Sequence, residues 1–161
     1  LQTIFTEGHA RHHYVLNDPH SKGVFTGDSF GVSYREHDTE KGEIVFPTTT
    51  PVQFDPVEAH RAVDRIMACD PDKLYLTHDS RVQNRDRLVT QMHEGIDAYV
   101  AMAREHENDE PEALRTRLFD YYGQRLSEHG YSGGREAIHS ALGNDVELNS
   151  HGVEPWLRGG G

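Results

Sequence analysis

The pattern of apolar residues changes near residue 80, and that change limits the folds open to this chain. Before it, short β-branched and aromatic runs alternate with turn formers, with one helical stripe among them. After it, apolar residues recur every three or four positions. Thr3-Ile4-Phe5, His13-Tyr14-Val15-Leu16 and Gly23-Val24-Phe25-Thr26 read as strands. Asn17-Asp18-Pro19 and Ser21-Lys22-Gly23 supply turns that favour antiparallel pairing of the second and third runs. Residues 29–50 are polar and broken, with one apolar patch at Ile44-Val45-Phe46 before Pro47, as expected of a loop that lines a site.

A helix is predicted from Asp55-Pro56, an acidic cap followed by proline at the first helical position, to Asp70-Pro71. Ala59, Ala62, Val63, Ile66 and Met67 form its apolar face, and Lys73-Leu74-Tyr75-Leu76-Thr77 is the next strand. Three helical stretches follow. Leu88, Met92, Ile96, Tyr99 and Val100 mark the first; Pro111 opens the second, through Leu114, Leu118, Tyr121, Tyr122 and Leu126. The third begins at Ala137, Ile138, Ala141 and Leu142 and resumes at Val146, Asn149, Val153, Trp156 and Leu157, after a break expected near Gly143.

A chain of 161 residues makes one ordinary domain. No apolar run is long enough to span a bilayer. Sixteen basic against twenty-seven acidic side chains leave a formal charge of -11, which repels polyanions. The expected partner is therefore a small-molecule substrate, with no nucleic acid and no membrane. Cys69 has no second cysteine to pair with, which gives no sign of an oxidising compartment and suggests a cytoplasmic protein. The opening Leu1-Gln2 reads as the interior of a longer gene product, and residues 159–161, all glycine, as a flexible tail.

Twelve histidines make metal binding worth testing residue by residue. His60, His93, His106, His129 and His139 fall on predicted helices with no ligand-type partner in view, and His20, His37 and His151 fall in turns or loops. All eight are expected to be structural or solvated. His9, Asp28 and His78 differ, because each follows a strand-like run, where a sheet edge can present it to a shared site. Taken alone, His9 is equally a ligand or a loop histidine. Asp28 is a carboxylate able to bridge two ions or a turn aspartate, and His78 is a ligand or a satisfied strand-end histidine. His12 and His13 read as supporting or strand-surface residues.

Taken together, Thr6-Glu7-Gly8-His9, Phe25-Thr26-Gly27-Asp28 and Leu76-Thr77-His78 resemble the later motifs of the metallo-β-lactamase-fold hydrolases, the superfamily that includes glyoxalase II. The resemblance covers about residues 1 to 80 and implies an α+β fold. Residues 1–83 would be the second half of an αββα sandwich, and residues 84–158 an appended C-terminal helical region. It implies that His9 ligates one metal ion, His78 a second, and that Asp28 bridges both as the catalytic carboxylate. The cofactor would be zinc, as two ions of a dinuclear site, with iron or manganese as other occupants.

The implied activity is hydrolysis of a small ester, thioester, lactone or similar bond through a metal-bound hydroxide. Tyr34 and Arg35, on the loop after Asp28, are the substrate-binding candidates. Arg35 would pair with a substrate carboxylate or with Glu36 or Asp38. Tyr121 and Tyr122 would line the pocket or pack as core, and Asp79 would orient a ligand or contact solvent. The family's first motif, His-x-His-x-Asp-His, has no counterpart in this chain. The remaining ligands are therefore expected from an upstream half of the same polypeptide or from a partner chain. The complete protein would be the enzyme and this chain alone inactive. A half-sandwich exposes the inner face of its sheet, which invites homodimerisation. The alternative is a non-catalytic fragment or half-domain acting as a binding or assembly module. A di-iron redox centre on the same scaffold is a third reading.

Overall fold

Alternation and turn chemistry set up the sheet as expected. β1 (Gln2–Phe5), β2 (Tyr14–Asp18) and β3 (Gly23–Gly27) pair antiparallel in sequence order, with Phe5 opposite Tyr14 and Leu16 opposite Phe25. The computed structural model describes residues 1–50, 53–78 and 81–159. Asp79 and Gly160-Gly161 lie outside the described residues, and with them the readings made for Asp79 and for most of the glycine tail.

From β3 the chain passes through two short 3-10 turns, Asp28–Phe30 and Arg35–His37, and an isolated bridge between Val32 and Phe46. It then enters α1 (Pro56–Met67). Asp55 caps α1, its carboxylate accepting from the backbone N–H of Glu58 at 3.0 Å. α1 is the crossover that returns the chain to β4 (Lys73–Leu76), parallel to β3 with Phe25 beside Tyr75. A two-residue strand, β5 (Arg81–Val82), completes a five-stranded sheet in the order β1-β2-β3-β4-β5. The sequence does not announce β5, because two residues carry no period.

α2 (Arg85–Glu105), α3 (Pro111–His129) and α4 (Arg135–Arg158) follow, giving an α+β chain. The break expected near Gly143 is absent: α4 runs through Gly143 and takes in Pro155. Glycine costs a helix interior roughly 1 kcal/mol. Burial of Ile138, Leu142, Val146 and Val153 on one face, each worth up to about 2–3 kcal/mol, outweighs it.

The period of two divides the sheet's side chains. Ile4, Val15, Val24, Leu74 and Val82 face one way, into a core cluster that continues through Ile66 of α1, Leu88 and Ile96 of α2, Leu118 of α3 and Leu142 of α4. The opposite face carries Phe5, Tyr14, Leu16, Phe25 and Tyr75. Here Phe5, Tyr14 and Phe25 are 53%, 54% and 47% exposed, and the Phe25 and Tyr75 rings stack at 4.8 Å. One side of the sheet is packed and the other is an open apolar surface. Among the described residues, no helix is long and apolar enough to cross a membrane.

Candidate metal centre

Asp28 leaves the end of β3, and each of its two carboxylate oxygens faces a different histidine. Oδ2 lies 3.6 Å from His9 Nε2, and Oδ1 lies 3.5 Å from His78 Nε2. These gaps exceed hydrogen-bond length. They match the separation of two donors that share one ion at about 2.0–2.2 Å from each. Asp28 Oδ1 is buried and has no hydrogen-bond partner among the described residues.

Backbone geometry makes the approach possible. Gly8, at φ 118°, passes so close to α1 that a Cβ there would stand 2.3 Å from the Ala59 nitrogen, and its carbonyl accepts from Asp55 N–H at 2.9 Å. Gly27, at φ 52°, lies under the His13 ring, where a Cβ would meet Cε1 at 2.5 Å. Both positions need glycine.

Hydrogen-bond donors assign the histidine tautomers. Thr48 Oγ1 donates to the Asp28 carbonyl at 2.9 Å, so its 3.0 Å contact with His9 Nδ1 must be one in which His9 donates. The Thr48 carbonyl, 3.2 Å away, shares the same proton. His9 Nε2 is therefore left with its lone pair toward Asp28, where Thr50 Oγ1 donates to it at 2.7 Å. Burial holds His9 below the usual histidine range, against the raising effects of the Thr48 carbonyl and the Asp28 charge.

His13 is fixed in the same tautomer. Its Nε2 accepts from Asp28 N–H at 3.2 Å, so Nδ1 carries the proton and donates to Ser29 Oγ at 2.9 Å; Ser29 in turn contacts Thr6 Oγ1 at 2.9 Å. Burial lowers the His13 pKa as well, in keeping with a neutral ring. This histidine supports Asp28 through the backbone.

A cavity of about 360 Å³ opens at the centre, lined by His9, Asp28 and His78 together with Tyr34, Asp145 and Asn149. Tyr34 Oη donates to both oxygens of Asp145 at 3.1 Å. Burial and this neighbouring carboxylate raise the Tyr34 pKa, so the phenol keeps its proton. Burial also raises the Asp145 carboxyl, and the Tyr34 hydrogen bond opposes it. Arg35 lies outside the cavity lining, paired with Asp38 at 3.2 Å and donating to the Arg81 carbonyl at 3.3 Å. Tyr122 is core, hydrogen-bonded to Tyr99 and Asn149, while the half-buried Tyr121 packs against it.

The wall opposite the sheet comes from α4, through Asn144, Asp145, Leu148 and Asn149. Asn149 ties that wall to the threonine run, accepting from Thr49 N–H at 2.7 Å and donating to Tyr122 Oη at 2.7 Å. Its one sequence signal was a polar residue on an apolar stripe.

The donors suit a metal: an unprotonated imidazole nitrogen, a carboxylate split between two histidines and an orphan oxygen. The set is incomplete, however. Among the described residues no group of three or more His, Cys, Asp or Glu side chains is placed to hold one ion. The chain offers two half-shells that share Asp28.

No family model matches the chain, and no curated protein matches it in sequence. Solved structures do. A metallo-β-lactamase family protein from Thermus thermophilus superposes over 99% of this chain with a TM-score of 0.58 and 16% identity, and an archaeal metallo-β-lactamase superfamily protein from Sulfolobus tokodaii over 94%, with 0.51 and 23%. The chain spans 44% of each. The class is thus a metallo-β-lactamase fold represented by part of its length, in keeping with a half-domain whose other sheet face is open.

Proposed function

We propose that this chain is the second half of a metal-dependent hydrolase that acts on a small ester, thioester, lactone or similar bond, glyoxalase II-like thioester cleavage being one member of that class. The observation that carries the reading is the division of Asp28 between His9 and His78. His9 and Asp28 would hold one ion, and Asp28 and His78 the other. Zinc is the first choice for imidazole and carboxylate, with iron or manganese as other occupants. When bound, such a pair activates water at neutral pH and polarises a carbonyl.

The residues of this chain have separable tasks. Thr48 fixes the His9 tautomer, so that the unprotonated nitrogen faces the site. His13 and Ser29 hold the Asp28 backbone. Tyr34, with Asp145 as its acceptor, orients a polar group of the substrate at the cavity wall. Arg35 would have to leave Asp38 to reach a substrate carboxylate. Residues 1–83 are the sandwich half in this reading, and 84–158 the helical region whose last helix walls the pocket. The missing ligands come from an upstream half or a partner chain seated on the face of Tyr14 and Phe25. The single cysteine favours the cytoplasm.

The test is metal content, with turnover of ester, thioester and lactone substrates, in the protein carrying both halves. The expectation is about two ions per molecule and loss of both metal and turnover in Asp28→Ala; full activity in that variant removes Asp28 from the mechanism. The open apolar face favours a second reading, a non-catalytic half acting as an assembly module. A stable metal-free dimer that turns over none of the substrates would establish it.

A further inference from the structure

Away from Asp28, the tertiary structure joins two histidines for which the sequence offered no partner. His60 of α1 and His93 of α2 meet with their Nδ1 atoms 2.7 Å apart. Their planes differ by 10°, and the 5.0 Å between ring centres is the nitrogen gap plus little more than two ring radii. The rings therefore meet edge to edge, with their Nδ1 lone-pair directions opposed. Behind each ring stands a carboxylate from the opposite helix: His60 Nε2 is 3.1 Å from Asp97 Oδ1, and His93 Nε2 is 3.4 Å from Asp64 Oδ1. Both helices use one pattern, histidine with aspartate four residues on, and the pairs cross between helices.

The proton inventory is constrained by this geometry. Asp97 accepts from His60 Nε2–H, so the neutral His60 ring has only Nδ1 left as a lone-pair donor. Asp64, 3.4 Å from His93 Nε2, makes no hydrogen bond there and leaves His93 free to carry its proton on Nδ1. Two bare lone pairs cannot face each other at 2.7 Å, so the contact is an Nδ1–H···Nδ1 hydrogen bond in which His93 donates to His60. A metal ion can take the place of that proton once His93 carries its own proton on Nε2, toward Asp64. An imidazole whose far N–H is held by a carboxylate is the form in which proteins present histidine to a metal.

We propose that His60 and His93 form a metal site separate from the Asp28 centre, which takes a divalent first-row transition cation, Cu²⁺ ahead of Zn²⁺, through the two Nδ1 atoms. The rings must part to admit the ion, since each nitrogen would stand about 2.0 Å from it. Both side chains are about 30% exposed and can retreat toward solvent. Asp64 and Asp97 supply the compensating charge, and water completes the shell. The bound ion would pin α1, whose first turn abuts the His9 loop at Gly8, to α2.

The test is calorimetric titration of the purified protein with Cu²⁺ and with Zn²⁺ in an Asp28→Ala background, so that the other centre is silent. We expect one ion per chain, Cu²⁺ the tighter, and at least tenfold weaker binding after His60→Ala or His93→Gln. Cu²⁺ should raise the thermal midpoint only when both histidines are present. Asp64→Asn combined with Asp97→Asn should weaken binding while sparing its stoichiometry. Unchanged affinity in the histidine variants overturns the proposal. Absence of any bound ion in the Asp28→Ala background also overturns it, and leaves the shared proton as the sole occupant. Neither result bears on the Asp28 centre.

Discussion

Thr50 Oγ1 stands 2.7 Å from His9 Nε2, on the one ring nitrogen that faces Asp28. The hydroxyl therefore occupies the lone pair that a metal ion would use, and an ion must displace it. A net hydrogen bond is worth about 1 kcal/mol. Thr50→Ala should therefore raise zinc affinity by about fivefold, measured by competition with a chromophoric chelator. A loss of affinity would show that Thr50 helps to hold the ion.

Burial lowers the pKa of His9, His13, His37 and His129. The unfolded chain then binds more protons than the folded one as pH falls, so the sign is fixed: stability is full above about pH 6.5 and declines as pH drops through that value toward the lower folded pKa values. His37 is the clearest contributor. It is fully buried between Tyr34 and Tyr131, with no hydrogen-bond partner on either ring nitrogen among the described residues. Urea midpoints between pH 7.5 and 5 should fall in the native protein and fall less steeply in His37→Leu. Equal slopes would exclude His37 as a source of the acid sensitivity.

Asn149 is buried and joins three elements: it accepts from Thr49 N–H, and donates to Tyr122 Oη and to the Pro47 carbonyl. Asn149→Ala leaves the Thr49 N–H unpaired, at about 1–3 kcal/mol where water cannot reach it, while Tyr122 Oη and the Pro47 carbonyl keep Tyr99 as a partner. A loss of about 2 kcal/mol in denaturant unfolding is expected, together with weaker metal binding, because Thr48 and Thr50 flank the loosened residue. Leu148, beside it and 46% exposed, should tolerate Ala with less than about 1 kcal/mol of change.

Phe25 lies on the open sheet face, stacked on Tyr75 and flanked by Leu16. With no covering half, this surface should drive concentration-dependent association of the chain. Phe25→Glu should shift sedimentation toward monomer while leaving the circular dichroism spectrum unchanged. Association that survives this change would locate the contact elsewhere.

Periodicity and capping were legible in the sequence wherever a segment was long enough to repeat. The strands ending at Phe5 and Gly27, α1 with its Asp55 cap and the three later helices all carried local signals, because alternation and the 3.6-residue stripe are properties of neighbours in the chain. Glycine at 8 and 27 marked the turns that deliver His9 and Asp28. The uninterrupted course of α4 was not legible, since its glycine is offset by burial against other elements. Nor was β5, which is held by its pairing with β4. The shared site of His9, Asp28 and His78 was expected only through the resemblance of three motifs, and the α4 wall with Asn149 and the head-to-head contact of His60 with His93 were not expected; all three are long-range. Each joins residues tens of positions apart, and no local propensity encodes such a distance. The sequence by itself determined which segments could form and which side chains could donate. Only the packing of α1, α2 and α4 around one core decided which of those donors stand within reach of one another.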